Sequence, residues 1–474
     1  NVTDKHWRIR VVNQGELFRL GCRVAVKETD ESNGDANGNG PENVIGIAEG
    51  AAPYAGPQQG EYHGSKWGLH LRAPDLFFEL QERYRDRLAP VADVAEVRFG
   101  VKTGCDRFFF VRDITEACLA EGLSPKEFKD KYGILPMQAD KVRIVLAGDK
   151  SLHLLETEFL EPEVHNLMEN NGVRGIRINP DELRLKVLLC NKPKHELKKT
   201  HVLKYIQWGE REGFTSGSTV KQRIREHRPW YDLTTERRGA MFWPKSQQYR
   251  HLVPLNEKNL ICNCNLYDVF PKPELNGLVL CAILNSTWVA LFKHSYGRLA
   301  GTEGNLKTEI VDVNMMLIPD PRMATKEAVN RVKTAFEKVV DVPVDELWEM
   351  ILYPEREKLD DAVLELLGES DAGERKKLRE RLYEEMTTMY RAIREKELQM
   401  NEYKRQTKRG SKLSAEQLAG EIWDALDSTL LKRFPEDFFG AAEETEAVEL
   451  GEDGLQVHTA PLMGQSGVEP GGRY

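Results

Sequence analysis

The segment Val97 to Val111, VRFGVKTGCDRFFFV, constrains the fold more than any other stretch of this chain. An apolar, β-prone arm runs into a small-residue turn at Lys102-Thr103-Gly104, and a second, nearly continuous apolar arm follows at Phe108, Phe109, Phe110 and Val111. The pattern predicts a glycine-hinged hairpin. Glycine at 100 and 104 permits close backbone approach or positive φ, so the turn can hold Lys102 and Thr103 out at a sheet edge. An ammonium and a hydroxyl displayed together suit an anion such as phosphate; a lysine in a turn is as readily a solvated side chain with no ligand.

The neighbouring segments point to an α+β chain. Pro74 starts a helix with apolar positions at Leu76, Phe77, Leu80, Tyr84 and Leu88. Ser124-Pro-Lys-Glu127 has the form of a capping box and predicts a short helix to about Tyr132. Short β-like runs follow at Val142 to Leu146, Arg184 to Cys190, Val202 to Trp208 and Leu260 to Leu266. Leu278 to Lys293 reads as one helix, and Leu317-Ile318 as a strand leaving the domain. Leu359 to Leu367 keeps a helical stripe that stops at Gly368. Leu378, Leu382, Met386, Met389 and Ile393 mark a charged helix, and Ser414 opens another. The expected organisation is residues 1–90 as the distal end of a preceding domain with a flexible insertion at 28–64, a β-rich domain over 91–322, a helical region over 323–435 and a disordered acidic tail over 436–474. The chain opens on Asn1, which reads as a processed, cut or partial chain.

Charge decides where a polyanion would sit. The net charge of −9 is concentrated at the end: from Glu436 to Tyr474 nine acidic residues face Arg473 alone. Between Asp181 and Lys258, seventeen Lys and Arg face nine Asp and Glu, an excess of eight positive charges that would serve as a phosphate footprint. Within it, Arg223 and Arg225 precede Trp230 and Tyr231. Cations beside aromatics can pin phosphates while a ring stacks on a base, or they are a helix surface followed by two core aromatics. Lys245, Gln247 and Arg250 are candidate readers of base edges or phosphate. Arg298 and Lys307 flank a glycine-rich loop that can approach a sugar-phosphate backbone closely. No Walker loop is present. The seven cysteines include only the close pair Cys262-Asn-Cys264, a CxC rather than CxxC spacing, so reduced thiols are expected. No apolar run reaches the roughly 18 residues needed to span a bilayer, and a soluble, cytoplasmic chain is expected.

The string RFGVKTGCDRFFFV resembles the junction that opens the target-recognition part of N6-adenine DNA methyltransferases of restriction-modification and phage-defence systems. The likeness takes in Trp67-Gly-Leu-His-Leu-Arg-Ala-Pro-Asp75, Lys204-Tyr-Ile-Gln-Trp-Gly209, Arg228-Pro-Trp-Tyr231 and the run Leu280 to Pro321, roughly the first two thirds of the chain. It implies sequence-specific binding of double-stranded DNA, with Lys102, Thr103, Arg223, Arg225, Trp230, Tyr231, Lys245, Gln247, Arg250, Arg298 and Lys307 as candidate contacts. It further implies S-adenosylmethionine as methyl donor of the full enzyme. The Asn/Asp-Pro-Pro-Tyr/Phe segment that holds a flipped adenine in this family is not found, nor is its glycine-rich methyl-donor loop; Asn179-Pro180-Asp181 lacks the second proline and the ring. No catalytic, metal or cofactor-binding residue is therefore assigned, and a separate N-terminal catalytic domain or subunit is the expected partner. Two other classes stay open: a scaffold subunit whose helical third assembles a phage-defence complex, and an RNA-binding protein, against which stands the lack of any recognition-sheet or GXXG motif.

Overall fold

The two apolar arms around Lys102-Thr103-Gly104 join different sheets instead of pairing with each other. The structure, a computed structural model, describes residues 68–165, 167, 175–233, 237–300 and 305–406, together with the strand pairs 2–3 with 8–9 and 22–23 with 61–62. Strand Ala95–Phe99 pairs antiparallel with Leu266–Pro271, which also pairs with Met241–Pro244. Strand Phe110–Asp113 belongs to a six-stranded sheet ordered Ile261–Cys262, Leu160–Val164, Leu185–Leu188, Phe110–Asp113, Val142–Leu146, Leu152–Glu156. The expected hairpin is thus a crossing between two sheets. The reason lies in Phe108 and Phe109, both fully buried in one core. Successive strand residues face opposite ways, whereas the helical turn Asp106–Phe109 sends both rings inward together.

Glycine makes the crossing possible. Val101 N donates to Cys262 O at 2.8 Å, which brings Gly100 onto the backbone of the next strand. A Cβ on Gly100 would lie 2.6 Å from Cys262 O and 2.7 Å from Cys262 Sγ and would also strike Asn263 O. Backbone atoms cannot step aside. Gly100→Ala is expected to cost about 1–3 kcal/mol through overpacking, read as a lower urea midpoint at unchanged slope. Gly104 takes a positive φ of 70° and packs against Thr219.

The larger core joins helix Asp75–Arg83, the three-stranded sheet and two central helices, Gly277–Leu284 and Thr287–Tyr296. The single helix expected over 278–293 is broken by 66° at Asn285-Ser286. Ser286 caps the second helix by accepting from Val289 N, while Asn285 exchanges two hydrogen bonds with the Val253 backbone. Among the described residues no single helix is long and apolar enough to cross a membrane; these two pass that test only as a bent pair, and their side chains are mostly core. Helices Lys326–Val339, Pro354–Leu366 and Ala372–Gln406 place Phe336, Leu359, Leu378, Leu382, Met386 and Tyr390 in the same core, and Gly368 ends the second of them with φ 100°. The described residues up to Met400 form one compact unit.

A second core lies on the six-stranded sheet. The run 202–208, read as β-like, is the helix His201–Arg211: Thr200 caps it, and its buried residues Val202, Tyr205, Ile206 and Gly209 recur at three and four. The Ser124–Glu127 capping box and the helix Pro125–Tyr132 form as expected. The run 184–190 contracts to Leu185–Leu188, and 260–266 divides into Ile261–Cys262 and the start of Leu266–Pro271. Strand Leu317–Pro319 pairs with Leu88–Pro90, so the helix opened by Pro74 ends at Arg83 and does not reach Leu88, which its strand partner holds extended. The fold is α+β, as the sequence indicates. The Ser414 helix, the acidic tail and nearly all of the 28–64 insertion lie outside the described residues.

Candidate nucleic-acid interface

An aromatic row crosses the three-stranded sheet and surfaces at one end. Phe99 is paired with Tyr267, and Tyr267 with Trp243, so the three rings share one line of cross-strand neighbours. Tyr267 and Trp243 are fully buried, while Phe99 is half-buried and meets Tyr267 edge to face at 5.2 Å. Two ammonium groups converge on its ring: Lys102 Nζ lies 4.1 Å and Lys245 Nζ 5.5 Å from the centroid. A ring negative on its face draws cations in this way. The crossing turn delivers Lys102, and the end of strand Met241–Pro244 delivers Lys245.

The surface continues along a second small sheet. The glycine-rich loop expected over 296–305 is a hairpin, Arg298–Ala300 with Asn305–Lys307, whose inner strand also pairs with Ser246–Gln247. Ser246, Lys307 and Arg298 are direct cross-strand partners and so lie on one face. Gln247, Leu306 and Leu299 form the other row, with Gln247 and Leu306 buried. Arg298 Nη2 lies 3.2 Å from Glu309 Oε1, and Lys245 Nζ lies 3.6 Å from Glu309 Oε2. Burial raises the Glu309 carboxyl, but Lys245, the Tyr267 hydroxyl and Arg298 outweigh it and hold the group below the usual range. Arg72 is close enough to Arg298 to feel its charge: burial first and then that guanidinium lower the Arg72 pKa. Arg72, Arg298, Lys307, Lys245 and Lys102 therefore make a contiguous basic strip around one carboxylate and one half-exposed ring.

Other residues singled out in the sequence turn inward. Arg223 is only 6% exposed; its Nη2 donates to the carbonyls of Lys102 at 2.7 Å and Thr103 at 2.6 Å, and its Nη1 to that of Trp230 at 3.1 Å. Burial lowers its pKa, and its guanidinium stands 5.4 Å from the Phe109 ring. It holds the turn rather than a phosphate. Thr103 is buried and its hydroxyl bonds Asp106. Trp230 packs 4.6 Å from Phe108 and donates to Glu210, and the Tyr231 hydroxyl donates to Lys192 O. Trp230 and Tyr231 are thus core aromatics following a helix, and neither ring is offered to a base. Gln247 donates to Leu252 O and accepts from Lys293, so neither end of its amide is left for an adenine edge. Arg225 is exposed on helix Ser218–Arg225 without a contact to the strip, and Arg250 is half-buried beside Tyr249.

Arg72, Phe99 and Glu309 were not singled out in the sequence. In VRFGVKTG, Phe99 looks like one more apolar position, because its exposure depends on a partner strand far along the chain.

No protein-family model matches the chain, and no curated protein matches it. Among solved structures, one similar to this chain is the crystal structure of the type IIG restriction endonuclease BpuSI. The match has a TM-score of 0.41 at 14% identity and covers 65% of this chain and 33% of that one, so the chain spans about a third of that protein's length.

Proposed function

We propose that this chain binds duplex DNA along the strip from Lys102 to Arg298 and serves as the sequence-recognition part of an N6-adenine DNA methyltransferase or combined restriction-modification enzyme. S-adenosylmethionine-dependent chemistry is assigned to a partner catalytic domain or subunit. The observation that carries the reading is the convergence of Lys102 and Lys245 on the half-exposed Phe99 ring, extended by the paired Arg298 and Lys307. Cations spaced along a turn, a strand end and one face of a small sheet can follow a phosphodiester backbone, and a ring between them can press on a sugar or base.

The test is fluorescence anisotropy of a labelled duplex across a salt series. Each phosphate neutralised contributes a slope of about −0.9 in log affinity against log salt. Lys102→Gln with Lys245→Gln is expected to weaken binding by roughly tenfold for all sequences and to make the slope shallower by about 1–2. Both side chains sit at the surface, so an unchanged melting temperature checks the fold. Equal affinity and slope for the variant at low salt would remove the interface from this strip.

A further inference from the structure

One carboxylate sits where the proposed strip should be most attractive to phosphate. Glu309 faces Lys245 and Arg298 at once, and it is held there from several sides. The buried Tyr267 hydroxyl reaches Glu309 Oε2 at 3.3 Å, and Glu309 N donates to Asp312 Oδ2 at 2.9 Å. The preceding residue is fixed as well: Thr308 N donates to Lys245 O at 3.0 Å, and its hydroxyl accepts from Trp243 Nε1 at 2.9 Å. These backbone bonds fix where residue 309 sits, and the Tyr267 hydroxyl with the two cations holds its carboxylate at the surface.

A purely structural ion pair does not account for the arrangement well. Lys245 and Glu309 are each 34% exposed and Arg298 is 56% exposed. Pairs this wet add little to stability. Their consequence for an incoming anion is larger, because a phosphate approaching Lys245 or Arg298 meets a fixed negative charge beside both cations, which repels it and takes one guanidinium donor of Arg298.

We infer that Glu309 acts as an internal anion of the basic strip, competing with phosphate for Lys245 and Arg298 and so suppressing affinity for duplexes that offer only a phosphate backbone. This rests on the duplex-binding reading of the same strip. Glu309 is a positioning residue that sets discrimination: contacts beyond the backbone are needed to offset its opposition, and a random duplex lacks them.

Glu309→Gln keeps the shape and the bond from Tyr267 while removing the charge. With the full chain and a random-sequence duplex, E309Q is expected to bind about three- to tenfold tighter at low salt, with a salt slope steeper by about 1–2 as two cations become available. Adding Lys245→Gln and Arg298→Gln should abolish the gain. Inorganic pyrophosphate, followed by calorimetry, is the second probe, and E309Q should bind it more tightly than the parent. Duplex binding by parent and E309Q with equal affinity and slope would overturn the internal anion. A gain toward pyrophosphate with no duplex binding by either form would keep the internal anion and sink the DNA reading. No gain with either probe would overturn it. A urea midpoint unchanged within error by E309Q is the expected control, whereas a large loss of stability would make the carboxylate structural.

Discussion

Asp360→Ala is expected to lower the unfolding free energy by about 3–5 kcal/mol, the cost of removing one member of a buried ionic network and leaving its partner uncompensated. Asp360 and Arg356 are 2% and 1% exposed, and Arg356 Nε lies 3.2 Å from Asp360 Oδ2. The carboxylate also anchors another helix. Thr287 N donates to Asp360 Oδ1 at 2.7 Å and the Thr287 hydroxyl to Oδ2 at 2.6 Å, so Asp360 satisfies the opening of helix Thr287–Tyr296 from outside it. Tyr383, on the long helix, donates to the same oxygen at 2.9 Å; burial and the Asp360 charge push its phenol far up. One side chain therefore ties three helices of the larger core. Alanine strands the Arg356 guanidinium and the Thr287 amide in a dry interior. Asparagine retains an acceptor for the amide but loses the charge, and its loss should fall between the two. Urea denaturation of the three proteins is the measurement, and an alanine variant within about 1 kcal/mol of the parent would refute the role given to the network.

Such networks show where the sequence was readable and where it was not. Elements whose cause is local were legible: the Ser124–Glu127 capping box, the helix opened by Pro74 and the helix closed by Gly368 each follow from a few adjacent residues. Elements whose cause is a distant partner were not. The arms around Gly104 look like a hairpin because strand propensity does not say which strand is the neighbour; Tyr267 takes Phe99, and Lys186 and Val187 take the other arm. The helix His201–Arg211 resembles a strand in sequence because its aromatic and β-branched residues favour strands, and only the Thr200 cap and the spacing of Tyr205, Ile206 and Gly209 betray it. Site residues divided along the same line. Lys102, Lys245, Arg298 and Lys307 come together because the crossing turn, a strand end and one face of the small sheet present them. Arg223 looks like a phosphate ligand in sequence, yet a guanidinium satisfies clustered carbonyls as well as it does phosphate, and the carbonyls of Lys102, Thr103 and Trp230 reached it first. Glu309 carries no sequence signal because its meaning depends on which cations face it.

Lys293→Met is expected to stabilise the chain, by about 1–4 kcal/mol at pH 7. Lys293 is 1% exposed, its ammonium bonded to Gln247 Oε1 and set 4.7 Å from the Trp243 ring centroid; among the described residues no carboxylate lies within ion-pair distance of it. Burial lowers its pKa from 10.5 to about 7. Between those two values the unfolded chain holds a proton on this lysine that the folded chain has released, so stability should climb as pH rises from about 7 toward 10.5, by up to about 1.4 kcal/mol per pH unit from this group. Below pH 7 both states are protonated and the penalty stays at its full size. Methionine has nearly the same length and no charge to desolvate, so it removes both the penalty and the climb. It also forfeits the bond to Gln247 and the attraction of the Trp243 ring, each worth about 1 kcal/mol, which is why the net gain is smaller than the pKa shift alone implies. Urea midpoints of parent and variant at pH 6, 7, 8 and 9 separate the two contributions. The parent should gain on the variant steadily above pH 7, and parallel pH profiles would show that the lysine stays charged in the folded state, held by its amide and its ring.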